Sequence, residues 1–247
     1  MKIAVLLKQV PDLAEELEVD DSGKALDTEY LKFRLNEYDE HALEEAACLK
    51  EAGQAEEVVA FALDGEEVDK MLFGAMAKGA DRAVKLTGTE AEGSREAAVL
   101  FAEALGTDYD LILTGVQSVD DRDGMMGPIL SSMLKFPCVS VVTRVEGRNS
   151  SITVHKEYFG GLMAAFDIQL PAVLGIQAAR KTPRYAPVSK VRQIQQSASI
   201  EEKSVSGGST AIRSEVISMA PPSKTVGAKM LGSVDELVKV LKEKGVA

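Results

Sequence analysis

The feature that most constrains the fold is a regular alternation of short apolar runs and amphipathic segments. The apolar runs have the length and composition of buried strands and cover residues 2–8, 57–63, 82–86, 110–115 and 138–145. The segments between them carry apolar residues at helical spacing and cover residues 37–53, 66–79, 94–106 and 125–135. Repeated β–α units imply right-handed crossovers, so we expect an α/β fold with a mainly parallel, doubly wound (Rossmann-like) sheet.

Residues 151–177 depart from this alternation. Two strands separated by Gly160 and Gly161 are typical of a hairpin, which we expect at the sheet edge, and 172–177 should return into the sheet. From about residue 180 the sequence predicts no regular element until a helix at 233–245, with Ser233 as its cap. Such a stretch is uncommon inside a compact domain, and its scattered apolar residues favour an extended C-terminal arm wrapped on a partner over disorder.

Charge and composition exclude several classes of protein. The net charge of −11 argues against a nucleic-acid partner, which would need a basic face. The sequence has no apolar run long enough to span a membrane, and its start is typical of a first strand, so we expect a cytoplasmic protein. Cys48 and Cys138 lack the spacing of a metal site, and we expect buried reduced thiols. His41 and His155 have no partners at triad spacing.

The stretch "GVQSVDDRDGMMGP" (115–128) lies between a predicted strand and a predicted helix. Glycines at such a junction let the backbone approach a ligand, and N–H groups at a helix start can hold a phosphate without basic side chains. Asp120 or Asp121 would then accept hydrogen bonds from ribose hydroxyl groups or cap the helix. The alternative is that Gly124 and Gly127 only shape a tight loop.

Six segments occur in an order that resembles a known family. They are "MKIAVLLKQVPD", "LNEYDEHALEEA", "AMAKGADRAVKL", "GVQSVDD", "GGL" followed by "LPAVLGIQ", and "PRYAP". Together, over roughly residues 1–192, they resemble the β subunit of electron transfer flavoprotein. The resemblance implies an electron carrier and not an enzyme: a heterodimer that takes electrons from flavin dehydrogenases, such as acyl-CoA dehydrogenases, and passes them to an acceptor such as a membrane quinone oxidoreductase.

The cofactors and domains follow from the same resemblance. The larger α subunit would hold most of a redox-active FAD, while the β subunit would bind a structural AMP or, as in electron-bifurcating members, a second FAD. AMP is favoured because the Gly-Asp-Thr of bifurcating members is missing here, although Met125 and Met126 also replace the polar pair of many AMP-binding members. The expected domains are a nucleotide-binding α/β domain at 1–182, a partner-recognition loop at 183–192 and an arm at 193–247 that wraps the α subunit.

The resemblance also implies individual site residues. Leu6 and Leu63 end strands at positions that contact adenine, and Tyr38 lies near the flavin of the partner. The expected cofactor-binding residues are Leu6, Asn36, Glu37, Tyr38, Asp39, Leu63, Gly115, Val116, Gln117, Ser118, Val119, Asp120, Asp121, Arg122, Asp123, Gly124, Met125, Met126 and Gly127. From the residues alone, 36–39 is equally a helix cap and first turn, and Leu6 a core leucine.

Partner docking is expected at Pro183, Arg184, Tyr185 and Val188, with Val188 as the apolar anchor. Relatives often carry a lysine run after this anchor, whereas this chain has "RQIQQSASI", so the choice of dehydrogenase does not carry over. A competing interpretation is an adenine-nucleotide sensor or an adenylate-forming enzyme on a similar sheet. The absence of a Walker lysine and of a catalytic constellation in the sequence argues against it.

Overall fold

The structure, a computed structural model, describes residues 1–88, 91, 93–148, 150–207, 215–221 and 227–246. Its strands are β1 (Lys2–Leu6), β2 (Gln9–Pro11), β3 (Phe33–Leu35), β4 (Glu57–Leu63), β5 (Arg82–Thr87), β6 (Leu111–Gly115), β7 (Cys138–Arg148), β8 (Ser151–Glu157), β9 (Met163–Gln169), β10 (Ala172–Ile176) and β11 (Glu201–Ser204). Its helices are α1 (Glu37–Glu51), α2 (Val68–Ala77), α3 (Ser94–Leu105), α4 (Met126–Leu134), α5 (Val188–Ser197) and α6 (Val234–Glu243).

Nine of the described strands form one sheet, in the order β11-β5-β4-β1-β6-β10-β7-β8-β9. The strands from β11 to β7 are parallel, and β7, β8 and β9 are antiparallel. The predicted fold is therefore confirmed: a mainly parallel sheet carries a hairpin at one edge, and β10 returns between β6 and β7. Starting from β1, the chain builds outward to β5 and then crosses to β6 on the other side of β1.

Helices cover both faces of the sheet, which explains why its central strands are almost entirely apolar. Ile3 and Val5 of β1 belong to a core formed with α1 and α2. Ala4 and Leu6 of the same strand belong to a second core formed with α3 and α4. Successive side chains of a strand point to opposite faces, so a strand buried on both faces lacks a regular polar face. Thr114 of β6 is a buried exception, and its hydroxyl donates to the carbonyl of Gly115 over 2.8 Å.

The prediction of no regular element between about 180 and 232 is wrong, because α5 and β11 lie in that range. α5 packs against α2, and its Val191 and Ile194 are half-buried. β11 adds a parallel strand beside β5, and the next residue, Val205, is 2% exposed in the core. β11 is an edge strand of exposed, mostly charged residues, so it lacks the apolar alternation that predicts strands. The short antiparallel pair β2–β3 was also not predicted.

Residues Glu18–Asp27 and Val216–Ala247 form a second compact unit. In it, the N–H of Met219 donates to the carbonyl of Gly23 over 2.8 Å. The predicted C-terminal helix is confirmed as α6, and Ser233 caps it by accepting from the N–H of Glu236 over 3.2 Å. Its apolar residues Val234 and Leu237 are exposed. Among the helices described, none is long and apolar enough to cross a membrane.

Candidate nucleotide site at the carboxyl edge of the sheet

The strand order places a crevice between the carboxyl ends of β1 and β6. In open α/β sheets, ligands bind outside the carboxyl ends of the strands at the point where the strand order reverses. β1 lies between β4 and β6, and all three run parallel, so Leu6, Leu63 and Gly115 end neighbouring strands at one edge. The structure thus brings the strand-end residues of the predicted site together. Leu6 is buried and Leu63 is half-buried.

Asp39, in the first turn of α1, bridges this crevice. One carboxylate oxygen accepts from the N–H of Lys8, just beyond β1, and the other accepts from the N–H of Gly115, at the end of β6, each over 2.8 Å. The side chain is buried, so burial raises the pKa of Asp39 from its ordinary 3.8 to about 7, against the opposing effect of the two N–H donors and the charge of Lys8. Asp39 therefore titrates near neutral pH.

Gly115 is a glycine because the start of α1 lies directly against it. A Cβ at this position would be 2.4 Å from Asp39 Oδ1 and 2.7 Å from the Cβ of Tyr38. Such distances are too short for any side chain, so the close approach of α1 and β6 requires glycine here. Tyr38 is half-buried and Glu37 is exposed.

Lys8 neutralises the acidic loop that follows β6. Its ammonium donates to Ser118 Oγ over 3.1 Å and to one carboxylate oxygen each of Asp120 and Asp121 over 2.9 Å. Burial lowers the pKa of Lys8, but these two carboxylates outweigh it and the pKa is raised. Burial raises the pKa of Asp121, but the hydrogen bonds to Lys8 and Ser118 and the charge of Lys8 together outweigh burial, so the pKa is lowered. All three ammonium donors are thus used within the protein.

The second half of the loop is fixed by Asp123 at the start of α4. Asp123 Oδ1 accepts from Ser94 Oγ over 3.0 Å and from the N–H of Met125 over 2.8 Å. Gly124 has φ +62°, and a Cβ there would lie 3.2 Å from the carbonyl oxygen of Val116. Arg122 is exposed and also has a positive φ of 55°. The remaining loop residues are Gln117, Val119 and Met126, half-buried, and Gly127, buried.

Asn36 carries a buried polar atom without a partner. Its side-chain N–H donates to the carbonyl of Gln117 over 2.9 Å, and its backbone N–H donates to the carbonyl of Lys8 over 2.9 Å. Its Oδ1 is buried yet accepts no hydrogen bond from the part of the chain that the structure describes. Buried polar atoms are almost always paired, so an unpaired acceptor beside the crevice fits a ligand that donates a hydrogen bond.

The predicted docking residues lie apart from the crevice, along α1 and α5. Arg184 is half-buried and bound to α1: its guanidinium donates to Glu44 over 2.8 and 2.9 Å and to Glu51 over 2.6 Å. Tyr185 is 81% exposed and Val188 is 60% exposed. Val188 begins α5, so the predicted recognition loop is partly helical. Pro183 is half-buried next to Arg184.

A second internal ion pair, which sequence reasoning missed, holds the same segment. Arg180 binds Glu45 through its side chain over 2.8 and 3.1 Å and through its backbone N–H over 3.0 Å. Glu45 is fully buried and also accepts from the N–H of Val145 over 2.9 Å. The available signal was the pair of acids, Glu44 and Glu45, on an otherwise apolar helix face. Lys8 and Ser94 were missed as well, since their partners lie far away in sequence.

The β8–β9 hairpin presents an exposed apolar surface at the sheet edge. Phe159 at its tip is 99% exposed, and Leu162 is 68% exposed. Met163, Phe166 and Tyr158 extend this surface, and β9 pairs only with β8 among the described strands. Apolar side chains along an open strand edge are typical of a protein–protein contact.

Comparison with known proteins agrees with this architecture. A family model described as the electron transfer flavoprotein domain matches residues 24–206. Electron transfer flavoprotein subunit beta of Methylophilus methylotrophus is 35% identical over 200 residues, covering 78% of this chain and 75% of that protein. The mitochondrial subunit beta of Oryza sativa subsp. indica is 33% identical over 250 residues, and that of Homo sapiens is 28% identical over 252 residues, each covering at least 98% of both chains. The chain therefore belongs to the electron transfer flavoprotein family.

Proposed function

We propose that this chain is the β subunit of a heterodimeric electron transfer flavoprotein and holds one AMP at the crevice between β1 and β6. The observation that carries the nucleotide assignment is the buried Oδ1 of Asn36 at the strand-order reversal, which has no hydrogen-bond partner among the described residues. A nucleotide supplies hydroxyl or amino donors of the kind that this acceptor lacks. Leu6, Leu63 and the 115–127 loop would form the remaining walls.

The acidic loop is compatible with a phosphate because its charges are already engaged. Lys8 binds Asp120 and Asp121, while Asp123 accepts from Ser94 and from the backbone. The phosphate would then be held by backbone N–H groups near the start of α4, where the helix dipole favours negative charge. In this role AMP is structural and takes no part in electron transfer.

The proposal assigns two surfaces to the larger α subunit, which carries most of the redox-active FAD. One is the exposed apolar hairpin of β8 and β9, and the other is the arm that ends in α6, whose Val234 and Leu237 are exposed. Tyr38 would lie against the flavin. The heterodimer would work in the cytoplasm and carry electrons from flavin dehydrogenases to an acceptor such as a membrane quinone oxidoreductase, with dehydrogenases docking at Val188.

Co-expression with the α subunit tests this function. We expect a yellow heterodimer whose flavin band bleaches when an acyl-CoA dehydrogenase and its substrate are added. A colourless chain that is stable alone and binds AMP without a second subunit would favour the sensor alternative. A heterodimer that holds two FAD and no AMP would instead favour the electron-bifurcating class.

A further inference from the structure

Asp39 joins two parts of the site that the proposed function assigns to different cofactors. Its carboxylate accepts from the N–H of Lys8 and from the N–H of Gly115, each over 2.8 Å. Gly115 begins the loop that we assign to AMP. Tyr38, the residue before Asp39, is the one that we assign to the flavin of the larger subunit.

The contacts around Asp39 leave the start of α1 little freedom against the loop. The Cα of Gly115 lies so close to α1 that a Cβ there would come within 2.7 Å of the Cβ of Tyr38. Asn36 adds a bond from its side-chain N–H to the carbonyl of Gln117 over 2.9 Å. A displacement of the loop start must therefore either move the first turn of α1 or break these bonds.

Lys8 extends the same network to the outer part of the loop. Its backbone N–H binds Asp39, and its ammonium binds Ser118, Asp120 and Asp121. Through its backbone and its side chain, Lys8 thus links the first turn of α1 to Ser118, Asp120 and Asp121 of the loop. Continuous polar networks of this kind can carry energetic coupling between two sites.

We propose that Asp39 is a positioning residue that couples nucleotide occupancy of the 115–127 loop to the environment of the flavin at Tyr38. The inference rests on the proposed function of both segments. Coupling between two binding sites is reciprocal. AMP therefore changes the affinity of the protein for the flavin by the same factor as the flavin changes its affinity for AMP.

Ionisation of Asp39 gives this coupling a pH signature. The pKa of Asp39 is about 7, because burial outweighs the N–H donors and the charge of Lys8. Lys8, just beyond β1, is the charged group that faces Asp39, and Asp120 and Asp121 of the loop bind the same ammonium. The first turn of α1 also contains Glu37 and Glu40. An ionised carboxylate accepts N–H bonds more strongly than a protonated one, so the coupling should be stronger at pH 8 than at pH 6.

The test uses the FAD-containing heterodimer, dialysed free of AMP and then saturated with AMP. AMP binding is measured by equilibrium dialysis, and the flavin by the AMP-induced change in its visible absorption. We expect this change in the wild type to be at least twofold larger at pH 8 than at pH 6. Asp39→Asn, which keeps the shape but loses the charge, should retain less than a third of the change and show no pH dependence.

Asp110→Asn is the matched control, since Asp110 also accepts a backbone N–H of β1, from Lys2 at the opposite end of the strand over 2.8 Å. It should behave as the wild type. A full AMP-induced absorption change in Asp39→Asn would overturn the proposed coupling. A wild-type absorption change that is equal at pH 6 and pH 8 would also overturn it, and this outcome can be measured even if the variant does not assemble. If the wild type binds AMP without any change in flavin absorption, only the coupling is wrong. If the wild type does not bind AMP, the proposed nucleotide site is wrong as well.

Discussion

Gly115 and Asp39 determine how closely α1 packs against the end of β6 at the crevice. An added Cβ at Gly115 would lie 2.4 Å from Asp39 Oδ1. We therefore expect Gly115→Ala to lower the free energy of unfolding by about 1–3 kcal/mol, because α1 must move away. Denaturant unfolding measures this change. Gly74→Ala in the interior of α2 is the control: beyond its chain neighbours and its own helix backbone, no described atom lies within 4 Å of its Cβ. This substitution should stabilise the protein by about 0.5–1 kcal/mol. Equal effects of the two variants would contradict the account.

Asp39 gives a pH-dependent contribution to stability. Its pKa is raised to about 7 in the folded protein by burial, from an ordinary 3.8. Because this pKa is raised, the stabilising contribution of protonated Asp39 is fully present below about pH 4 and is lost as pH rises through 7. Relative to Asp39→Asn, the wild type should lose about 2–3 kcal/mol of unfolding free energy between pH 5 and pH 8.

Unfolding of both proteins in urea across this pH range gives the difference directly, with Asp110→Asn as the control for loss of an acid. If the wild type gains stability over Asp39→Asn as pH rises, Asp39 is ionised in the folded state well below neutral pH and its assigned pKa is wrong.

At the scale of elements, the alternation of strands and helices predicted the sheet and the helices α1 to α4 because each buries a periodic apolar face. α5 was missed because only Val191 and Ile194 of its residues are half-buried against α2. The Pro187 before it and the apolar spacing of Val188, Val191 and Ile194 were the available signals.

Ion pairs connect the segment between β10 and α5 to α1, and removing one of their cations should lower the stability of the protein. Glu44 is 4% exposed and is bound by Arg184. Arg184→Ala would leave a buried carboxylate without its cation, so we expect a loss of about 2–4 kcal/mol in unfolding free energy. Lys70→Ala removes an exposed pair with Glu67 and should change stability by less than about 0.5 kcal/mol. Comparable losses in both variants would argue against a structural role for the Arg184 pair.

α5 also carries the proposed docking anchor. Val188 is 60% exposed at the first position of the helix, where an acidic residue does not disturb helix formation. We expect Val188→Asp to lower the rate of flavin reduction by the donor dehydrogenase at least tenfold and to leave FAD content unchanged, since a charge would enter an apolar contact. Stopped-flow absorption measures the rate. Ser189→Asp places the same charge one residue later and should lower the rate of flavin reduction much less. If Val188→Asp leaves this rate unchanged with every donor, Val188 is not the anchor.

At the scale of the whole molecule, the family resemblance assigned Leu6, Leu63 and Gly115 to one site, and the parallel sheet brings their strand ends to one edge. The sequence did not reveal what binds the acids of the 115–127 loop, because Lys8 lies more than a hundred residues away from them. Likewise, nothing local predicts that Asp39 bridges β1 and β6. The fold thus follows from periodicity and the expected site from the family resemblance, whereas the polar network follows only from the folded arrangement.

We propose above all that the 115–127 loop holds an adenine nucleotide through its backbone. Gly124 has φ +62°, and a side chain there would also press on the carbonyl of Val116 at 3.2 Å, so Gly124→Val should empty the loop. Gly53→Val is the control, with φ +71° and, its chain neighbours aside, no atom of the described residues within 4 Å of its Cβ. The decisive measurement is the amount of each nucleotide released from the purified heterodimers. The account predicts one FAD and one AMP from the wild type and from Gly53→Val, but FAD alone from Gly124→Val. A full complement of AMP in Gly124→Val would contradict it.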